Sequence, residues 1–478
     1  MLFNSIEFIC FFLVIASLYF FIPYRYRNGY LLLASYYFYG SWNVNYLILL
    51  IITTVSSYIC GIYIGKTDHI FLKRRFITIA CIINLGLLLI FKYFNFLISP
   101  FNTFFKIFGQ LKLIPELNFL LPVGISFYTF QAIGYVIDVY RGKSKPEKNF
   151  TVFALYVSFF PQLVAGPIER SYHLIPQFIK DFKLDYGKIT SGLYLMLWGF
   201  FQKLVIADRL AIYVNAVHED IIRFNWLQLI VACYFFSIQI YCDFAGYSNI
   251  AIGSARILGI DLINNFNRPY FAISIKDFWR RWHISLSTWF RDYLYIPLGG
   301  NRVSFSKIYR NIMVVFLLCG LWHGAGWPFI IWGGLHGVLL CINNLWNNIN
   351  KNKSETDTVI IRLLKVIATF HIVTFAWIFF RAEGLSDAFL YIKRICSMSM
   401  DNRGLTSGIP GFGQYEFFLS LFLIMVLFFL ELFQSQKTFD GFVLRQKIYL
   451  RWSIAYCLLF SILVFGVFNL TTFIYFQF

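Results

Sequence analysis

The sequence predicts an all-α polytopic membrane protein. Apolar runs long enough to cross a bilayer recur along the chain, only 13% of the 478 residues are charged, and most basic residues fall between those runs. A hydrophobic content of 59% excludes an ordinary soluble globular protein. The formal charge of +18 would suit a nucleic-acid ligand only on a solvated, aromatic-interleaved surface. Positive loops between spans explain it better, so no nucleic-acid partner is expected.

The apolar runs lie near residues 6–23, 30–40, 45–64, 76–98, 119–140, 152–166, 190–214, 227–252, 312–322, 327–345, 361–380, 417–434 and 452–470. Several are too short to span alone at about 1.5 Å per residue, which predicts half-membrane or re-entrant pieces and roughly 11 to 13 membrane segments. These must be helices, because backbone polar groups in lipid have to be satisfied within the segment. The first run has no basic residue before it and reads as a retained span rather than a signal peptide.

Basic loops predict the orientation. Arg25 and Arg27, 66–75, 141–148, 301–311, 350–365 and 434–451 are placed in the cytoplasm, which puts the N-terminus outside, together with 108–118 and the segment from about 382 to 415. No internal repeat, low-complexity tract or soluble domain is visible, so a single membrane domain over 1–478 is expected. The cysteines (Cys10, Cys60, Cys81, Cys233, Cys242, Cys319, Cys341, Cys396, Cys457) form no CxxC pair and no metal-ligand spacing, and read as small packing residues.

The stretch "FWRRWHISLSTWFRDYLY" (278–295) concentrates charge and aromatic rings. Ile275, Phe278, Trp279, Trp282, Leu286, Trp289, Phe290 and Tyr293 follow three- and four-residue steps, while Lys276, Arg280, Arg281, His283, Ser287 and Arg291 fall largely elsewhere. That predicts one amphipathic helix bounded by Pro269, Pro297, Gly299 and Gly300. It either lies on the inner leaflet or dips inward, bringing His283 and its arginines to the cytosolic mouth of a chamber.

His323, in "LWHGAGWPFIIWGGLHG" (321–337), is the sharper signal. A helix starting at the inner surface near Asn311 carries it about 18 Å deep, close to the middle of a core about 30 Å thick. An ionisable group at that depth marks a functional site by default. Burial disfavours imidazolium and leaves a neutral ring able to take a proton from a hydroxyl. The competing reading is a histidine that only packs helices together. His336 and His371 read as packed polar residues, and His69, His173 and His218 lie in loop-like sequence.

Asp243, in "YCDFAGYSNIAIG" (241–253), is an intramembrane acid that could pair with an arginine or histidine, or hold a proton or cation. "FFPQLVAGPIER" (159–170) breaks a span and presents Glu169 and Arg170, as a half-helix near a chamber or as a re-entrant loop. No P-loop, dinucleotide fingerprint, HExxH or GxSxG motif occurs. A histidine-based transfer from an already activated acyl donor fits, since a thioester needs a deprotonated acceptor more than an enzyme nucleophile.

These blocks, with "LPVGISFYTFQAIGYVIDVYRG" (121–142), "FNRPYFAISIKDFWRRWHISLSTWFRDYLYIPLGGNR" (266–302) and "WIFFRAEG" (377–384), cover nearly the whole chain in order. Together they resemble the membrane-bound O-acyltransferase family, in its bacterial alginate O-acetyltransferase branch. The resemblance implies a ring of helices around a central tunnel, with a cytosolic funnel for the donor and an outward opening for the acceptor. It implies His323 as catalytic histidine and His283 as its polar partner, with Arg280, Arg281, Asp243 and Trp322 as substrate-binding residues. It further implies acetyl-CoA or another acyl thioester as donor substrate, no bound cofactor or metal, and a cell-surface polysaccharide as acceptor. The expected setting is the lipid of the bacterial cytoplasmic membrane, with a periplasmic or extracellular acetyltransferase partner. Peptidoglycan O-acetylation and teichoic acid D-alanylation are alternatives of the same chemistry; a transporter of an acyl carrier or polysaccharide precursor is the alternative of another class.

Overall fold

The computed structural model describes residues 1–107, 114–164, 166–349, 358–398, 404–434, 438–468 and 473–474. The helices are α1 (Ile6–Phe21), α2 (Tyr24–Gly40), α3 (Val44–Lys66), α4 (Ile70–Ile107), α5 (Ile125–Tyr140), α6 (Phe150–Leu163), α7 (Ser171–Phe178), α8 (Tyr186–Glu219) and α9 (Trp226–Ile257). They continue with α10 (Ile275–Arg281), α11 (Ile284–Phe290), α12 (Phe305–His323), α13 (Trp327–Ile349), α14 (Val359–Arg381), α15 (Leu385–Ser397), α16 (Gln414–Gln434), α17 (Phe439–Val443) and α18 (Ile448–Phe465). Among the described residues, nine helices are long and apolar enough to cross a membrane, and α1 and α6 are shorter apolar helices. The protein is all-helical and polytopic, as the apolar runs predict. Outer faces such as Phe418, Met425 and Phe429 of α16 expose large apolar side chains, which lipid rather than water can cover. Of the loop predicted at 108–118, residues 108–113 lie outside the described residues, as do 350–357 of the basic loop before α14.

Two compact units divide the chain: residues 1–193 with 251–263, and residues 194–250 with 264–478. In the first, Asn149 caps α6 by accepting from the Thr151 amide at 2.9 Å. Gly124 starts α5 at φ +74, and a Cβ there would meet the Leu163 carbonyl at 2.6 Å, so only glycine fits the turn. Glu169 is held firmly within this unit. It is buried, accepts the Ile263 amide at 2.6 Å, and pairs with His173 Nδ1 at 2.8 Å.

Four expectations need correction here. His173 and His218 are helical rather than in loops: α7 forms between two apolar runs, and α8 continues past the end of its run. His371 is exposed on α14 instead of packed, and Nδ1 lies 2.7 Å from the Ile367 carbonyl of its own helix. Cys10, Cys396 and Cys457 are exposed as well, so packing does not explain them. The fourth concerns the stretch after Ile275, which is two helices rather than one.

In the second unit α12 and α13 form a tight antiparallel hairpin. A Cβ on Gly320 would lie 2.2 Å from the Phe329 carbonyl, and one on Gly333 would lie 2.2 Å from that of Phe316. The two backbones therefore touch, as small residues allow between membrane helices. Gly324 then ends α12 in an extended conformation right after His323. Gly320→Val should separate the hairpin at a cost of about 1–3 kcal/mol, the range for overpacking a filled core; a thermal midpoint equal to wild type would contradict that contact.

The Glu169 hydrogen bond raises the pKa of His173, against partial desolvation that lowers it. A histidine whose folded pKa is raised adds stability fully below its unfolded value and loses it as pH rises through the folded value. The stability lead of wild type over His173→Gln should therefore shrink from mildly acidic to alkaline pH, read as thermal midpoints in detergent. A lead that grows with pH would reverse the sign.

Candidate active site

The candidate site is built where two helices end inside the second unit. The period of Ile275–Tyr293 predicts one helix, yet α10 stops at Arg281 and α11 starts at Ile284. Trp282 is extended between them, and His283 takes a left-handed conformation at φ +42, which costs a non-glycine residue about 1–3 kcal/mol. Asn265 and Asn267 make the break possible. The Asn265 carbonyl accepts from the Ile284 amide at 2.9 Å, its side-chain oxygen accepts from the Ser285 amide at 3.3 Å, and the Asn267 amide donates to the Arg281 carbonyl at 2.9 Å. Backbone groups orphaned by the break thus find partners away from water.

Of the predicted apolar face, Ile275, Phe278, Trp279, Trp282, Leu286, Trp289 and Phe290 are buried, whereas Tyr293 is only half-buried. His283, expected on the polar side or at a cytosolic mouth, is instead fully buried at 0% exposure, because the kink turns its ring inward. The buried His323 ends α12, and the two imidazole centroids are 6.2 Å apart at 56°. Trp322 bridges them, 5.8 Å from His283 and 5.0 Å from His323. Phe244 of α9 stands edge-on to His283 at 4.6 Å, and Trp332 and Phe380 stand edge-on to His323 at 5.0 and 5.4 Å. At that spacing one oxygen can come within hydrogen-bonding reach of a nitrogen on each ring, about 2.6–3.2 Å. His336 belongs to the packing instead: Trp279 Nε1–H donates to its Nδ1 at 3.2 Å.

A cavity of about 440 Å³ is lined by the basic Lys276, Arg280 and Arg291 and by apolar walls including Trp279, Val315 and Cys319, while neither histidine is part of its lining. Cys319 is one helical turn before His323, and Ile284 in the wall follows His283 directly. Of the two arginines singled out in the sequence, Arg280 lines this cavity. Arg281 instead pairs with Asp277 on its own helix at 3.0 Å. A second cavity of about 230 Å³ lies at the end of α14, lined by His218, Arg381, Glu383 and Tyr391 among others. Ile378 and Arg381 in its wall bracket Phe380, which touches His323.

Asp243 pairs with a lysine rather than with an arginine or a histidine. Lys203 lies between Asp243 at 2.7 Å and Asp208 at 2.8 Å, all three buried. The missed signal was a lysine and an aspartate inside the apolar run 190–214. Sequence reasoning also missed Asn265, whose role depends on a break that periodicity hides. Among the described residues no cluster of His, Cys, Asp and Glu could hold a metal ion.

The model of the membrane-bound O-acyltransferase family matches residues 147–382, which include both histidines, the cavity around Arg280 and the Lys203 cluster. A peptidoglycan O-acetyltransferase from Helicobacter pylori is 38% identical over 84% of this chain and 80% of its own length. A probable alginate O-acetylase from Azotobacter vinelandii is 41% identical over 81% of this chain and 76% of its own. A teichoic acid D-alanyltransferase from Bacillus subtilis is 31% identical over 56% of this chain and 71% of its own. With the match running through the helix breaks that carry His283 and His323, the chain belongs to the membrane-bound O-acyltransferase family.

Proposed function

We propose that the protein passes an acetyl group from a cytosolic thioester, acetyl-CoA, through the bacterial cytoplasmic membrane to a hydroxyl group outside. The final product is an O-acetylated cell-surface polysaccharide, reached through a periplasmic or extracellular acetyltransferase partner. The observation that carries this reading is the pair of buried imidazoles 6.2 Å apart, together with a cavity of basic and apolar lining whose wall includes Ile284, next to His283, and Cys319, one helical turn before His323.

Lys276, Arg280 and Arg291 suit the phosphates of a nucleotide thioester, since arginine binds phosphate through charge-assisted, bidentate hydrogen bonds. The apolar walls take the thiol-bearing arm toward Cys319. Neutral His323 accepts the proton of the acceptor hydroxyl as its oxygen attacks the thioester carbonyl, and His283 donates a hydrogen bond to the carbonyl oxygen. The C–S bond breaks and the imidazolium returns its proton to the leaving thiolate, so thioester and alcohol become ester and thiol. General base catalysis contributes about 10²- to 10⁴-fold to such a step. The cavity next to Phe380 supports the acceptor's approach from the opposite end of α14, with basic loops inside and the N-terminus outside. The names of the relatives support polymer acetylation, since those from Helicobacter pylori and Azotobacter vinelandii are named as O-acetylating enzymes.

A deletion strain complemented with wild type should regain base-labile acetate on its surface polymers, while His323→Ala at equal membrane expression should restore less than about 1% of it. The polymer that loses acetate identifies the acceptor. Equal restoration by both would reopen the transporter reading; a change in D-alanine release instead of acetate would assign the other acyl group.

A further inference from the structure

The transfer proposed above makes no use of the buried charges around Lys203, where one lysine lies between two carboxylates. A well-packed apolar cluster would often stabilise a core as well as a buried ion pair does, so the charges call for another account. What they hold is Phe473 and Ile474, beyond α18. Asp243 accepts the Ile474 amide at 2.8 Å. Phe473, fully buried, packs on Tyr247 at 4.4 Å and on Phe244 at 5.6 Å. Lys203 Nζ also lies 5.4 Å from the centre of the Tyr247 ring, so the ion cluster supports Phe473 through both a backbone bond and a side chain.

The end of α18 is tied to the same helix as the ion cluster. Within α8, residues Phe201–Ala207 form a π-helical turn. The Leu204 carbonyl of that turn accepts from the Val467 amide at 2.9 Å, and Arg209 donates to the Phe465 carbonyl at 2.7 Å. Such turns recur at functional sites, where the altered ladder frees a backbone group for another partner.

The chain of contacts ends at the site. Phe473 backs Phe244, and Phe244 stands edge-on to His283, the residue held in a left-handed backbone conformation. We propose that Phe473 is a positioning residue of the acyl-transfer site: anchored by Asp243 and Lys203, it supports Phe244, which fixes the ring of His283. This assigns Asp243 to an anchor rather than to substrate contact, and it rests on the acyl-transfer reading above.

The test measures acetate transfer from acetyl-CoA in membranes of the complemented strain, with the full chain at matched folded amounts. Phe473→Ala should lower kcat about 10- to 100-fold, the effect of a small misplacement of a reacting group, with the donor KM unchanged within about twofold. Phe473→Met, which keeps volume and makes sulfur–aromatic contacts, should return kcat to within about threefold of wild type. Wild-type kcat for Phe473→Ala would overturn the inference, and so would a loss that Phe473→Met shares equally. His323→Ala serves as the reference: if it is inactive while Phe473→Ala is fully active, only this inference fails, whereas an active His323→Ala removes the acyl-transfer reading itself.

Discussion

The architecture of this protein depends on one constraint: a helix that ends inside a membrane protein must find partners for the backbone groups it leaves open. Each histidine of the candidate site sits at such an ending. At His283 the partners are the backbone and side chain of Asn265, together with the amide of Asn267. At His323 the helix ends because Gly320 and Gly333 bring α12 and α13 into backbone contact and Gly324 turns the chain. A continuous helix at either place would carry its side chain past the other. The breaks let two imidazoles converge to 6.2 Å in a wall of tryptophan and phenylalanine.

Aromatic packing does the second part of the positioning. Trp322, Trp332, Phe380 and Phe244 surround the two rings edge-on or tilted, a geometry in which ring edges meet the negative faces of their neighbours. These contacts fix the orientation of both rings. The charges are kept elsewhere: Lys276, Arg280 and Arg291 line the neighbouring cavity, and Lys203 is held between two aspartates. The basic lining of that cavity suits the anionic donor of the transfer proposed above.

Much of this is legible in the sequence, and what is not has a physical reason. The apolar runs locate the long helices, and the place of His323 at the end of its run, where it proves to be buried, makes it the candidate that sequence picks out. The face of Ile275–Phe290 is legible too, because burial follows the helical period on both sides of the kink. The kink itself is not: Asn265 lies well before His283 in sequence, and its capping role exists only after folding. Arg280 and Arg281 look equivalent as neighbours, but only the folded chain shows that Asp277 takes Arg281 while Arg280 faces the cavity. The partner of Asp243 is hidden for a similar reason, since Lys203 sits in another apolar run and pairing depends on how the two helices cross.

The central claim is that the basic-rimmed cavity delivers the acyl group to the space between the two histidines. A structure of the protein with a non-transferable thioether analogue of acetyl-CoA tests it most directly. The expected result is the phosphates at Lys276, Arg280 and Arg291, the acyl carbonyl oxygen within hydrogen-bonding range of His283, and the acyl carbon next to His323 with room between them for the acceptor hydroxyl. An analogue bound with its acyl end away from both rings, or in a different cavity, would contradict it.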